Sequence, residues 1–434
     1  MLSKMQHPAR GEAMLDRHSI AARLSRSDSL VAVVPVRIPA TAVQTPAIHA
    51  ASKRFALFDL GFRPFYLLAA LLAALNVPVW VAQWHGVLPQ AGSLNAMAWH
   101  AHEMAFGFAA AVITGFLFTA ARNWTGLPTP TGRSLAALAA LWAAGRVAVL
   151  TGPAPLAAIV DGTFLPLVAL SLWFPLKRSG NRNLFFVGLL LLLAAANLLF
   201  HLSWLGVLSL APTVPAQGAL FLVVIIVSVM SGRVTPGFTQ NAIASARIRR
   251  VKGLDAASIG ALAATLVAQL SGAPVGLLAP LALVAAALHA VRLALWDPLS
   301  TLRSPILWIL HLSYAWIPVG LLLLALSTMD FGVAPALFIH ALGAGAIGGT
   351  IIGMITRTAR GHSGRPLRVG RAETAAYLLV HIGAAIRVFG PLAAPVHYGA
   401  LLVAAGAAWS MAFLIYLIVY WPMLAWSQRD GSPG

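Results

Sequence analysis

The sequence predicts an all-α polytopic membrane protein with about twelve transmembrane helices. Of its 434 residues, 59% are hydrophobic and only 9% are charged, whereas a soluble domain carries about a quarter charged residues. A mean hydropathy of +0.84 is typical of a chain surrounded largely by lipid. At roughly 20 apolar residues for each span, this composition is sufficient for about twelve spans.

The first 54 residues form a separate segment, which we expect to be a disordered basic tail on the cytoplasmic side. They contain eight Lys and Arg against three Asp and Glu, and no apolar run before Phe55 is long enough for a secretory signal peptide. A surface helix around 14–30 is the alternative. Residues 55–434 are predicted to form a transmembrane helical domain.

Twelve apolar segments follow, and their length and Leu/Ala richness predict helices rather than barrel strands. They occupy 65–82, 97–120, 134–151, 154–174, 184–208, 213–231, 255–271, 274–293, 305–326, 333–356, 372–390 and 395–425. Basic connections alternate with connections that contain no Lys or Arg. If both termini are cytoplasmic, 19 of the 21 basic residues after position 54 fall on the inner side.

Segments 2 and 10 share a spacing that suggests an internal repeat. The series His102, Gly107, Gly115, Arg122 and Gly126 recurs 238 residues later as His340, Gly345, Gly353, Arg360 and Gly364. Chance glycine matches are common in Gly-rich membrane helices, so the repeat is a hypothesis at this point. It predicts three arcs of four helices, with segment 6 as a degenerate middle copy.

Histidine is the residue type that points to chemistry, because imidazoles in the hydrocarbon region are rare and usually functional. The candidate metal ligands are His100, His102, His201, His340 and His397 near the outer side, His381 nearer the middle, and His311 towards the inner ends of the helices. Their shared depth predicts a metal or haem site. The alternative for each ring is a hydrogen bond to a neighbouring helix. The chain has no cysteine, so it provides no thiolate ligand.

The spacing of His100 and His102 limits how they act. In a regular helix their side chains point about 200° apart, whereas Glu103 lies on the face of His100. Two neighbouring centres are therefore easier to build than one, with a haem on one side and copper on the other. A helix that begins only after His102 would instead let both rings meet one metal. Glu103 is the candidate catalytic proton donor or ligand, or else a carboxylate satisfied near a helix N-terminus.

Arg146 and Arg387 are the two basic residues that fall near the outer side. Their predicted role is cofactor binding, through pairs with haem propionates, and the alternative is that they reach lipid headgroups. A further pair, His289 and His311, lies towards the inner ends of segments 8 and 9. For His289 a hydrogen bond in the core is the preferred interpretation.

Several short motifs together resemble the NnrS family from about Phe55 to the C-terminus. They are Phe58-Asp59-Leu60-Gly61-Phe62-Arg63-Pro64, Trp99-His100-Ala101-His102-Glu103-Met104, Asn123-Trp124-Thr125-Gly126, His340-Ala341-Leu342 with Gly348-Gly349, Gly361-His362-Ser363-Gly364-Arg365-Pro366-Leu367, and Asp430-Gly431-Ser432-Pro433-Gly434. There is a looser likeness to haem-copper oxidases, although segments 6 and 7 here contain no His. We expect His362 to be a solvated loop residue or a surface contact rather than a ligand of the outer site.

The resemblance implies a multi-pass protein of the bacterial inner membrane that contains haem, expected to be b-type, and copper. It also implies an association with nitric oxide, denitrification and protection from nitrosative stress. Roles carry over to His100, His102, His340, His201, His311 and Arg357, without assigning a metal to each ring. The implied partners are nitric oxide or a related small molecule, membrane lipids and an electron donor that the sequence does not identify.

We therefore expect a haem-copper membrane protein that binds or converts nitric oxide at an outer-side His cluster, and an oxidoreductase is one form of it. Two alternatives stay open. A copper or small-molecule transporter is favoured if several facing helices carry buried carboxylates. A haem sensor binds nitric oxide without turnover. Nucleic-acid binding is not expected, because the net charge of +18 comes from cytoplasmic connections and not from one basic face.

Overall fold

Twelve helices make up the fold in the computed structural model, which describes residues 54–90 and 94–427. They are α1 Phe62–Trp84, α2 Ala96–Thr125, α3 Gly132–Thr151, α4 Ala154–Arg178, α5 Phe185–Trp204, α6 Thr213–Ala242, α7 Leu254–Leu270, α8 Val275–Ala294, α9 Pro305–Thr328, α10 Pro335–His362, α11 Arg371–Ala393 and α12 Tyr398–Ala425. Eleven are long and apolar enough to span a membrane, α7 is shorter, and the described residues form no sheet. The predicted fold class is confirmed. The predicted tail up to residue 53 and the motif at 430–434 lie outside the described residues.

The helix boundaries follow the apolar segments closely, with one clear difference in α6. The sequence predicts an end at 231, just before Gly232 and Arg233, but the helix continues to Ala242. Arg233 does not end it, because its guanidinium lies over the rings of Phe185 and Phe186 and donates a hydrogen bond to Asn183. A basic residue with partners on a neighbouring helix is compatible with a continuing span.

The helices pack as three arcs of four, α1–α4, α5–α8 and α9–α12. Within each arc the third and fourth helices contact each other, and the fourth helix contacts the first helix of the next arc. The contact of α12 with α1 closes the ring. The second helices, α2, α6 and α10, lie inside, where α6 contacts both α2 and α10. This arrangement agrees with the predicted three arcs.

Arg63 joins the two ends of the ring. Its side chain is buried, and its Nη1 donates to the backbone carbonyl of Leu424 at 3.0 Å and to that of Trp426 at 3.3 Å. These carbonyls belong to the last turn of α12, where no intrahelical partner is available. The Phe-Arg-Pro motif at the start of α1 therefore has a structural role.

The backbone of α2 and α10 supports the internal repeat. Each helix changes to π-helix directly after its histidine, at Glu103–Ala109 in α2 and Ala341–Gly348 in α10. The two π segments begin 238 residues apart, as the repeat requires. Both helices are followed at the matching position by a left-handed glycine, Gly126 with φ of 66° and Gly364 with φ of 62°. Since π segments are rare and often found at functional sites, their coincidence is not expected by chance.

The π segment of α10 allows bulky side chains to approach its backbone. A Cβ added at Gly345 would overlap the ring of Trp316 on α9, and one at Gly348 would overlap Trp409 on α12. Gly343 is different, since a Cβ there meets only Leu220 at 3.6 Å. Glycine at 345 and 348 therefore brings α9 and α12 close to α10.

We expect Gly345→Ala to destabilise the fold by about 1–3 kcal/mol, the cost of overpacking a filled core. The added methyl group has to displace Trp316, which a neighbouring helix holds in place. Thermal stability in detergent, followed by size-exclusion chromatography, measures the effect, with Gly343→Ala as the matched control. Equal midpoints for the two variants would contradict the packing described here.

Candidate metal centres on two faces of α2

Two polar clusters lie on opposite faces of α2. The helix begins at Ala96, so His100 and His102 lie within helical backbone and their side chains diverge. The alternative in which the helix begins after His102 and both rings meet one metal is wrong. His102 joins α4 and α5, whereas His100 faces the histidine of α10.

The first cluster, called the carboxylate cluster, contains six side chains from four helices. They are His102 and Glu103 on α2, Arg146 on α3, Asp161 on α4, and Asn197 and His201 on α5. All six are buried, with His102 0% and Asp161 2% exposed. Asp161 is its centre, because its Oδ2 lies 3.2 Å from His102 Nε2 and 2.9 Å from His201 Nε2, and accepts a 2.8 Å hydrogen bond from Asn197.

Arg146 neutralises only part of the negative charge in this cluster. Its Nη1 donates to both oxygens of Glu103, at 3.1 and 3.2 Å, and its Nη2 forms an ion pair with Asp161 Oδ1. Glycine at 107 makes room for the guanidinium, because a Cβ there would lie 2.8 Å from Arg146 Nη1. Two carboxylates against one guanidinium leave one negative charge that a protonated histidine or a metal ion has to balance. Such a charge is very costly unless it is neutralised.

The histidines of the carboxylate cluster are suited to supply that neutralisation. His102 Nδ1 lies 3.1 Å from Glu103 Oε1, and its Nε2 lies 3.2 Å from both Asp161 Oδ2 and Asn197 Oδ1, so both ring nitrogens face oxygens. A carboxylate on the far nitrogen is the usual partner of a metal-binding histidine. One ligand atom each from His102, Asp161 and His201 lies within 4.8 Å of the others. Ligands about 2.0–2.2 Å from one ion stand at such separations, so the set fits a metal ion with two nitrogens and one oxygen.

The second cluster is a pair of parallel rings, His100 and His340, called the imidazole pair. The ring centres are 6.4 Å apart with 11° between the planes. His100 Nδ1 lies 3.3 Å from Asn76 Oδ1, and His340 Nδ1 lies 2.7 Å from the carbonyl of Ala336. Both acceptors hold the proton on Nδ1, which leaves each Nε2 as a lone-pair donor. The pair therefore offers two imidazole nitrogens to a metal or a haem.

Arg387 adds an uncompensated positive charge beside the imidazole pair. It is 7% exposed and acts electrostatically on both rings. Its Nη2 donates to Tyr398 at 3.2 Å, whereas its Nε and Nη1 have no hydrogen-bond partner in the described part of the chain. A buried guanidinium with two unused donors fits an anionic group such as a carboxylate. Trp80 stacks on His100 with ring centres 4.4 Å apart and covers one side of the site.

The other histidines predicted as ligands lie outside both clusters. His381 is held by the indole N–H of Trp316 at 3.1 Å, and His311 Nε2 lies 2.9 Å from Thr239 Oγ1. His397 is exposed at the start of α12. Within the described residues, none of the three belongs to a group of facing metal-ligating side chains.

Two further histidines are placed by their neighbours. As preferred from the sequence, His289 is hydrogen-bonded in the core, to Tyr314 at 2.6 Å and to the carbonyl of Ser258 at 3.1 Å. His362 lies at the end of α10 rather than in the loop, is half-buried, and makes a contact, with its ring 5.7 Å from that of Phe62.

The sequence reasoning missed Asp161 and Asn197, the two residues at the centre of the carboxylate cluster. The available signal was Asp161 itself, since a carboxylate in the apolar segment 154–174 has to find a partner. Glu103 is engaged by Arg146 through both oxygens and by His102 through Oε1, so it orients His102. Its role as a proton donor or ligand stays a prediction.

We expect Arg146→Gln to destabilise the protein by about 3–5 kcal/mol, because it leaves Glu103 and Asp161 without their shared counter-ion. Adding Asp161→Asn should recover part of this loss. Thermal unfolding in detergent measures both, with Arg233→Gln at the inner end of α6 as the control. An Arg146→Gln variant as stable as the control would show that Arg146 does not neutralise the cluster.

Comparison with known proteins places the chain in a family. A search of curated proteins found no match. The family model described as NnrS protein matches residues 56–428, which is nearly the whole chain and includes every residue of both clusters. The protein therefore belongs to the NnrS family.

Proposed function

We propose that this membrane protein of the nitric oxide response binds nitric oxide at metal held by the two clusters flanking α2. Membership of the NnrS family supports a role in that response. The observation that carries the proposal is the unneutralised negative charge of the carboxylate cluster, where two imidazole nitrogens face one carboxylate oxygen. A metal ion satisfies this arrangement without further protons.

The two clusters suit different cofactors. The carboxylate cluster offers two nitrogens and one oxygen to a single ion, and we propose copper there. The imidazole pair offers two free Nε2 atoms and the unused donors of Arg387, and we propose a b-type haem there, with Arg387 on a propionate. Copper held by the three side chains would keep a coordination position for nitric oxide, and a haem would keep one where a single ring of the imidazole pair holds it.

The chain's own residues prepare this chemistry. Glu103 fixes the tautomer and orientation of His102, and Asn197 holds Asp161 by a 2.8 Å hydrogen bond. Phe106 and Phe200 cover His102, with ring centres 5.1 and 4.6 Å away, and keep water from the cluster. Such a dry, oriented site favours binding of a small uncharged molecule such as nitric oxide.

A transporter is the second candidate, because Asp161 and Glu103 are buried carboxylates on facing helices.

Titration of purified protein with nitric oxide separates the candidates. A changed optical spectrum supports metal-bound nitric oxide, and consumption under a reductant supports an oxidoreductase. Binding without consumption supports a sensor. A protein without metal whose spectrum does not change supports the transporter.

We also propose that both termini are cytoplasmic and that the protein lies in the bacterial inner membrane. The connections between α1 and α2, α3 and α4, α5 and α6, α7 and α8, α9 and α10, and α11 and α12 contain no Lys or Arg. The basic residues lie in the alternate connections or in the helix ends that flank them, as Arg122 and Arg133 do, in agreement with the positive-inside rule. Both clusters then lie in the outer half of the membrane.

Substitution of one cluster should remove one cofactor and leave the other. We expect His201→Ala to lower bound copper severalfold at unchanged haem, and His340→Ala to lower haem at unchanged copper, because each removes one ligand. Elemental analysis and pyridine-haem analysis of purified protein measure the two contents. His397→Ala, an exposed histidine in the same half of the protein, is the control. Unchanged metal and haem in both cluster variants would exclude these rings as ligands.

A further inference from the structure

A column of buried polar side chains runs along α11. Glu373, Tyr377, His381 and Arg387 are each 7% exposed or less, although the helix belongs to a membrane span. The first three are one helical turn apart, so they lie on one face. From Glu373 to Arg387 the column rises about 21 Å along the helix. It connects the inner end of α11 with the imidazole pair.

The inner end of the column is a carboxylate with polar partners. Glu373 Oε1 accepts from Arg360 at 3.1 Å and from the hydroxyl of Tyr420 at 3.3 Å. The ring of Tyr420 stacks on Tyr416 with 4.5 Å between centres and 6° between planes. The connection after α10 is largely exposed, so this carboxylate lies close to the aqueous side.

The middle of the column contains a titratable ring that neither cluster uses. The indole N–H of Trp316 only donates, so Nδ1 of His381 accepts and the ring proton of the neutral form lies on Nε2. That nitrogen faces Ser313 Oγ at 3.5 Å. Glycine at 349 allows the ring to lie against α10, because a Cβ there would be 2.7 Å from the Cε1 of His381. His381 thus has one nitrogen fixed by Trp316 and one N–H that is available to donate to an internal water.

Buried hydroxyls beside the column lack protein partners in the described residues. They are Tyr416 OH, Thr350 Oγ1 and Ser410 Oγ. Tyr416 lies near the level of Tyr377, its electrostatic neighbour, and the other two lie on α10 and α12 nearer the middle. Buried polar groups without a protein partner are usually hydrogen-bonded to internal water.

The other side of the bundle provides a contrast. Tyr314 is fully buried, and its hydroxyl is hydrogen-bonded to His289 at 2.6 Å and to Arg292 at 2.8 Å. Both nitrogens of His289 are also occupied. Tyr314 and His289, whose polar side-chain atoms have protein partners, are therefore internal references for Tyr416 and His381.

We propose that the column along α11 is a water-filled proton path from Glu373 at the inner face to the imidazole pair. Protons enter at Glu373, pass along internal waters bound to the buried hydroxyls, one of which is oriented by the Nε2–H of His381, and leave the path beside Arg387. The role of the imidazole pair as the metal site that receives the protons rests on the proposed function, whereas the existence of the water-filled path does not. The positive charge of Arg387 at the outer end of the path repels a further proton. A proton is therefore retained there only when an anion or an electron compensates for its charge.

Hydroxyl-radical footprinting by X-ray radiolysis of the purified full-length protein tests for the water, because buried side chains are modified only where water lies beside them. We expect Tyr416 to be modified severalfold faster than Tyr314, and His381 severalfold faster than His289. Equal rates within both pairs would overturn the path, whether or not the protein binds nitric oxide.

Proton uptake tests the transfer. Photoreduction of the metal-loaded protein in weak buffer, followed with a pH dye, should be accompanied by proton uptake that His381→Leu slows severalfold, because this variant loses the N–H that orients a water in the path. His381→Gln keeps an acceptor for Trp316 and an N–H donor, so it should restore uptake, and His397→Leu is the matched control. Uptake at the wild-type rate in His381→Leu would overturn the role of His381. A protein that takes up no metal would contradict the proposed function, and the footprinting would still decide the path.

Discussion

The structure depends on a buried negative charge that its one neighbouring arginine does not balance. Glu103 and Asp161 share a single guanidinium, that of Arg146, and all three are buried. At low dielectric constant such a charge imbalance is more costly than any single hydrogen bond can offset. The two histidines that face Asp161 are therefore the natural place for a cation. The same charges also join α2, α3 and α4, so the site and the fold stabilise each other.

The other face of α2 requires an anion, whereas the carboxylate cluster requires a cation. There Arg387 is a cation with two unused donors, and it lies beside two imidazoles whose outward nitrogens are free. One helix thus separates a site that lacks a cation from a site that lacks an anion. The divergence of His100 and His102 produces this separation, and the regular helix from Ala96 to His102 fixes it. The matching π segments of α2 and α10 place both repeated histidines at the same point of the backbone.

Much of this organisation could be predicted from the sequence. The apolar segments and the alternation of basic connections gave the twelve helices, and helical geometry gave the separation of His100 from His102. Asp161 was not predicted, because a lone carboxylate in an apolar segment does not reveal its partners on other helices. His381 shares its helix with Arg387, yet the indole of Trp316 occupies it, and only tertiary contacts show this. The extension of α6 past Arg233 likewise depends on aromatic rings from α5.

X-ray absorption spectroscopy at the copper and iron edges of the purified protein tests the central claim most directly. The charge balance of the carboxylate cluster predicts a bound ion with two imidazole nitrogens and at least one oxygen at about 2.0–2.2 Å. A protein prepared with both metals available that binds neither, or a metal shell without imidazole, would contradict it. In that case protons, and not a metal ion, would have to neutralise Glu103 and Asp161.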